Sequence, residues 1–161
     1  MHIVLIVSKN GMAIYYFGYG SNLSSAMMRE WCPEHRLVGK AHLRDWALAF
    51  TRFSERWQAG VADIIQQTGA QVWGALYAVS TSDLEALDRK ESNGVYYQRI
   101  ACTAYIDQQL YDAFTYVVID KALDGIPIST AYRDTMLTGA RELNLPTDYI
   151  AHIVNLPLQD A

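Results

Sequence analysis

The sequence predicts an α+β fold with a largely antiparallel, barrel-like sheet flanked by helices. Strand-like runs follow one another instead of alternating with helices, which argues against a parallel doubly wound sheet. Helical periodicity is confined to segments between or after those runs. The last two long runs, Val95 to Ile106 and Leu110 to Ile119, are joined by only Asp107-Gln108-Gln109, as in an antiparallel hairpin.

The elements follow in order. Tyr15 to Gly18 reads as a first strand, from its β-propensity and abrupt glycine stop. Ser24 or Ser25 caps a short helix through Met27, Met28 and Trp31 to Pro33. Strand-like runs then cover Leu37 to Leu43, Asp45 to Thr51 and Gly60 to Gln66. Gln71 to Val79 is apolar on both faces, which predicts a strand that is central or covered on both sides. Ser82 and Glu85 form a capping-box pattern for a helix ending near Asn93-Gly94. After the hairpin, a loop around Asp124 to Pro127 leads to a helix from about Thr130 to Leu143, and Pro146 opens a last one to about Val154.

At 161 residues, 51% hydrophobic and 19% charged, the chain has the length and composition of one globular domain. Met12 precedes the first convincing strand, so residues 1–11 are expected to be an extension and 12–161 the single domain. The net charge of −4 argues against a general nucleic-acid binder, which needs a basic surface. No apolar run approaches the ~18 residues of a membrane span. Met1 to Val7 is too short for a signal h-region and lacks a cleavage site. Cys32 and Cys102 form no spacing motif, so a reduced, cytoplasmic chain is expected.

Tyr16-Phe17-Gly18-Tyr19-Gly20-Ser21-Asn22-Leu23 is the most informative stretch. Two glycines one residue apart end a strand and precede a helix. The reading is a sharp turn using positive φ at glycine, with amides converging on an anionic group. Other sources of this pattern fail. The third glycine of a dinucleotide fingerprint and the Lys-Ser/Thr of a P-loop are missing, and Ser21 is not framed as G-x-S-x-G. The four histidines are scattered, and Cys32-Pro33-Glu34-His35 lacks a second ligand pair, so no metal site is expected.

The Ser82 helix carries a contradiction. Leu84, Leu87, Asp88 and Glu91 share one face by i, i+3, i+4 and i+7 spacing, and the leucines must face the core. Glu91 is then directed inward or into a cavity, where burial raises a carboxyl pKa and suits it to proton transfer. Alternatively it lies in a frayed last turn and reaches solvent. Asp88 fits a structural hydrogen bond or salt bridge. Tyr132 shares an inward face with Met136, Ala140 and Leu143, either as a core residue with a satisfied hydroxyl or as a site residue. Tyr96 and Tyr97 begin a strand, and alternation sends one to each face, either so that one lines the same cavity as Glu91 or as ordinary strand packing.

Taken together these segments resemble the γ-glutamylcyclotransferases. Tyr19 to Leu23 resembles that family's substrate loop. Gly60 to Ile64 with Val72 to Tyr77 is similar to its paired central strands. Leu87-Asp88-Arg89-Lys90-Glu91 resembles the helix end bearing its catalytic Glu, which places that role on Glu91. Tyr132 to Pro146 resembles its C-terminal helix, whose Tyr lines the site. One departure is Ser92, where some relatives have Gly. The resemblance covers residues 14 to about 150 and implies a small β-barrel flanked by helices.

It also implies a reaction. The free α-amino group of a γ-glutamyl amide attacks its own γ-carbonyl, giving 5-oxoproline and a free amine, with no metal and no cofactor. Glu91 would move the protons. Tyr19, Gly20, Ser21, Asn22 and Leu23 would bind substrate, with Tyr96 and Tyr132 closing the pocket. The implied partner is a small γ-glutamyl compound, with no nucleic acid or membrane, and a monomeric or homodimeric protein. Relatives with similar loops differ in the amine portion they take. That choice is expected of the opposite wall, Arg52 to Gln58 or Ala122 to Pro127. The reading from another class is a non-catalytic module that binds γ-glutamyl groups or small carboxylates.

Overall fold

The computed structural model describes residues 6–8 and 11–160. Its elements are β1 (Ile6–Ser8), β2 (Gly11–Gly18), a 3-10 turn (Ser21–Leu23), α1 (Ser25–Trp31), β3 (Arg36–Ser54), β4 (Ala59–Val79), α2 (Thr81–Lys90), β5 (Tyr97–Ile106), β6 (Gln109–Val118), α3 (Thr130–Glu142) and α4 (Thr147–Val154). The strands are ordered β1-β2-β4-β3-β5-β6, and β6 returns to β2 through a parallel pairing of Tyr16 with Phe114. Strands β2 to β6 thus close a five-stranded barrel that is otherwise antiparallel. This is the expected α+β barrel. Of the expected extension 1–11, residues 1–5 and 9–10 lie outside the described residues, and Ile6–Ser8 pairs with β2 from Gly11 to Ala13. Among the described residues no helix is long and apolar enough to cross a membrane.

The four central runs expected from the sequence merge into two strands of 19 and 21 residues. Register shifts at Leu37/Gly39, Arg44/Trp46 and Ala49/Arg52 let this pair bend without ending. Asp45, at φ 65°, marks one bend, and its Oδ1 accepts the Gly69 amide at 2.9 Å from the facing strand. The break visible near Asp45 is therefore a corner.

Alternation along the strands divides the core. Phe17, Val72 and Leu76 join Leu43, Ile64, Met136 and Ile153 in one cluster. Their neighbours Tyr16, Ala75 and Tyr77 join Met28, Cys32 and Leu87 in another, under α1 and α2. From Val72 to Val79 both faces of β4 are largely covered and it lies between β2 and β3, which is why this stretch is apolar on both faces. Asp63 is fully buried in this sheet. Its carboxylate accepts bonds from Thr51 Oγ1 (2.7 Å), the Val118 amide (2.9 Å) and Lys121 Nζ (2.6 Å), the donor set a buried charge requires.

Ser24 caps α1 and Ser129 caps α3, each accepting an amide three residues on. The capping box of α2 is Ser80 with Asp83, not Ser82 with Glu85. Two such patterns overlap in Ser80 to Glu85, and the one adjoining the end of β4 at Val79 starts the helix.

The 3-10 turn after β2 is seated on α3. A β carbon at Gly139 would collide with the Leu23 carbonyl group and its Cβ, so only glycine permits this approach. Neither neighbour is a flexible chain end. Gly139→Ala is expected to lower unfolding free energy by about 1–3 kcal/mol, as overpacking does, in urea denaturation monitored by circular dichroism.

Candidate active site

The barrel brings the end of β2, the end of α2 and the start of β5 around one cavity of about 590 Å3. The loop comes first. Gly18 and Gly20 do not adopt the positive φ expected of them, which among the glycines is found at Gly69 and Gly94. Their role is space. A β carbon at Gly20 would stand 2.7 Å from the Tyr132 hydroxyl and 3.1 Å from Ala62 Cβ. The turn is held by Asn22, whose Nδ2 donates to Tyr16 Oη at 2.8 Å and whose carbonyl accepts from Tyr77 Oη at 2.6 Å. Tyr19 Oη donates to the Tyr116 carbonyl at 2.5 Å.

The end of α2 is as firmly set. The Asn93 amide bonds the Asp88 carbonyl (2.9 Å) and the Ser92 amide the Arg89 carbonyl (3.2 Å), which is a Schellman motif. Ser92 occupies its left-handed position at φ 48°. The motif ends the helix at Lys90, earlier than the expected Asn93-Gly94, and leaves Glu91 as the C-cap in helical phase. Glu91 therefore continues the face of Leu84 and Leu87, both buried, and lines the cavity with a side chain 18% exposed. The frayed-turn alternative does not hold. Asp88 is structural, accepting from Arg99 (2.5 Å) and Tyr116 (2.6 Å).

Lys90 was not singled out from the sequence, because a Lys in a final helical turn fits the helix dipole in solvent. Here it turns inward. Its ammonium donates to Ser21 Oγ at 3.3 Å and to Asn22 Oδ1, and lies 3.7 Å from Glu91 Oε1. It ties the end of α2 to the loop.

Tyrosines form much of the wall. Ala62 falls within the Ala49/Arg52 register shift and has no ladder partner on β3. Its amide donates to Tyr132 Oη (3.0 Å) and its carbonyl accepts from Tyr97 Oη (3.2 Å). Tyr132 is thus both core and cavity wall. Burial, followed by the charge of Glu91, pushes the hydroxyls of Tyr16 and Tyr97 well above the usual phenol range. Burial does the same for Tyr19 and Tyr132, with Glu91 a smaller contributor. These groups stay neutral and can orient a ligand, whereas a proton acceptor must come from a carboxylate.

Of the residues expected to bind substrate, Tyr19, Gly20, Ser21, Asn22, Tyr96 and Tyr132 line the cavity. Leu23 does not. Its side chain is 1% exposed and belongs to the core. Tyr96 is half-exposed at the rim, with the Arg52 guanidinium 4.2 Å from its ring centre, while Tyr97 is buried beside Glu91. Alternation could not rank these two because β5 begins only at Tyr97 and Tyr96 belongs to the preceding turn. The opposite wall is Arg52 to Trp57. Ala122 to Pro127 lies elsewhere, hydrogen-bonded to Thr51, Phe50 and Gly60.

Comparison with known proteins decides the family. The model of the AIG2-like family matches residues 71–153, which include Glu91 and Tyr132. The chain is 30% identical over 158 residues to a γ-glutamylcyclotransferase of Mus musculus, covering 88% of this chain and 77% of the relative. The chain belongs to the AIG2-like, γ-glutamylcyclotransferase family. A Bos taurus γ-glutamylcyclotransferase is 28% identical over 88% of this chain and 78% of its own length. A solved γ-glutamyl cyclotransferase superposes with a TM-score of 0.86 at 26% identity, covering 92% of this chain and 90% of its own.

Ser92 is a non-glycine residue at the left-handed position that ends α2. Glycine enters the left-handed region freely, and serine does so at a cost of about 1 kcal/mol. Ser92→Gly is expected to stabilise the protein by about 0.5–1 kcal/mol, raising Tm by roughly 1–4 °C in calorimetry. Ser92→Val should lower it.

Proposed function

We propose that this chain converts a γ-glutamyl amide to 5-oxoproline and a free amine. The observation that carries the reading is the shared cavity, in which the Glu91 carboxyl and the glycine loop are joined through Lys90. The substrate is a small molecule, as in the γ-glutamylcyclotransferases to which the chain is similar.

The reaction makes three demands. The flexible γ-glutamyl chain must fold so that its α-nitrogen meets its γ-carbonyl carbon, and an aromatic wall restricts it to that shape. Tyr97 and Tyr132 are fixed by Ala62 and provide rigid sides for this purpose. Glu91 takes a proton from the α-ammonium as the new carbon–nitrogen bond forms. It then gives that proton to the departing nitrogen as the amide bond breaks, and relays the second proton that the ring nitrogen sheds, so that the amine leaves as its ammonium ion. Between the two transfers, negative charge on the carbonyl oxygen needs fixed donors, and the amides at the start of the Ser21–Leu23 turn are suited to it. The ring closes within one molecule, so no water is consumed.

Glu55 and Asp120, the other carboxylates on the lining, are exposed, and Glu91 is the one set among neutral hydroxyls. Tyr96 at the rim and Arg52 to Trp57 opposite are placed to meet the amine portion. Cys32 and Cys102 are free thiols, and a reducing, cytoplasmic setting is part of this reading. The protein acts as a monomer or homodimer.

The test is incubation with γ-glutamyl-alanine, γ-glutamyl-ε-lysine and glutathione, with 5-oxoproline measured by chromatography. At least one is expected to release 5-oxoproline and amine in equal amounts. Tight binding without release by any of the three would show a binding module instead.

A further inference from the structure

We infer that Lys90 is a positioning residue for the cyclisation, setting its ammonium beside the Glu91 carboxylate and fastening that end of α2 to the substrate loop. This rests on the cyclotransferase reading and adds to it a group that the reaction scheme does not require.

A lysine on the last turn of a helix ordinarily extends its charge into water. The Lys90 side chain is 8% exposed, and its ammonium faces Ser21 Oγ, Asn22 Oδ1 and Glu91 Oε1. Two of its three donors go to Ser21 and Asn22, and the Glu91 carboxylate balances its charge at ion-pair distance. The Trp31 ring covers it at 5.9 Å. Burying a cation is unfavourable without such partners, so the arrangement persists only while acid and loop stay in place. Burial holds the Lys90 pKa below the usual lysine range, and the Glu91 charge opposes that fall without cancelling it.

The other groups around Glu91 do not duplicate this charge. Tyr16 and Tyr19 from the β2 side, Tyr97 and Tyr116 from the barrel and Tyr132 from α3 are neutral. Asp63 in β4 is buried and bonded to Lys121. Cys32, at the end of α1, is a protonated thiol. On the opposite wall the Arg52 guanidinium lies over the Tyr96 and Tyr97 rings at 4.2 and 5.7 Å. The Arg56 guanidinium lies 5.7 Å from the Trp31 ring centre and its charge acts on Lys90, but Arg56 is exposed, as are Glu55 and Asp120, so water screens all three.

A cation at this position favours the charged carboxylate, which must be free to take the first proton. It also makes the protonated acid a better donor in the second transfer. The loop gains a fixed distance from the acid, because Ser21 and Asn22 hold the same ammonium.

The experiment measures kcat/KM against pH for the wild type, Lys90→Gln and Lys90→Arg, with circular dichroism to check folding. Gln keeps a donor for Ser21 and Asn22 but loses the charge. Removing a neighbouring cation raises a carboxyl pKa, so the acid limb of Lys90→Gln should move up by about one pH unit. Lys90→Arg should stay near the wild type. A 13C titration of the Glu91 carboxyl, assigned by its loss in Glu91→Gln, should show the same shift without substrate. An unchanged midpoint in Lys90→Gln would overturn the proposal.

Should Lys90→Gln fail to fold, the reciprocal titration decides: Lys90 Cε in Glu91→Gln should titrate at lower pH than in the wild type. No change there would equally overturn it. Absence of 5-oxoproline release by the wild type would instead remove the cyclotransferase reading, while the two titrations still report on Lys90.

Discussion

The Tyr132 hydroxyl occupies the space that a side chain at Gly20 would need, and the site is organised around that contact. The same oxygen accepts the Ala62 amide that the β3–β4 bulge leaves without a ladder partner. One buried group thus satisfies a defect of the barrel and fixes the height of the loop above it. Gly139 allows the turn to settle onto α3 from the other side. With the turn so placed, Asn22 reaches Tyr16, Tyr77 and Lys90 together, and Lys90 draws in the end of α2.

This dependence runs from packing to chemistry. Bulges bend the long β3–β4 pair, bending frees backbone groups, and tyrosines recruited to those groups become the walls of the cavity. Burial holds their hydroxyls neutral, which is why the proposed function gives the acid–base work to Glu91. The Schellman turn at Ser92 stops α2 with Glu91 still in helical phase, directly beneath the loop. The two segments that meet there are nearly 70 residues apart in sequence.

What the sequence revealed was local. The direction of Glu91 followed from Leu84 and Leu87 at fixed spacing on the same helix, and the inward face of α3 from Tyr132, Met136 and Ala140. What it concealed was set by contacts between distant segments. Residues 36–54 and 59–79 looked like four strands because bulged corners carry the same residues as turns. The glycines of the loop looked like φ devices because the Tyr132 hydroxyl, over 110 residues away, could not be seen pressing on Gly20. Lys90 passed as a surface lysine for the same reason, since nothing near it in sequence announces Ser21 and Asn22. The choice between Tyr96 and Tyr97 depended on where β5 starts, and alternation fixes parity only inside a strand.

The central claim is that one carboxyl, at the end of α2, performs both proton transfers of the ring closure. Glu91→Gln tests it most directly, because the amide keeps the shape of the side chain and removes its proton chemistry. Turnover of the best γ-glutamyl substrate should fall by roughly 10²–10⁴-fold, with the melting temperature and substrate binding retained. Near-normal release of 5-oxoproline by that variant would contradict the account.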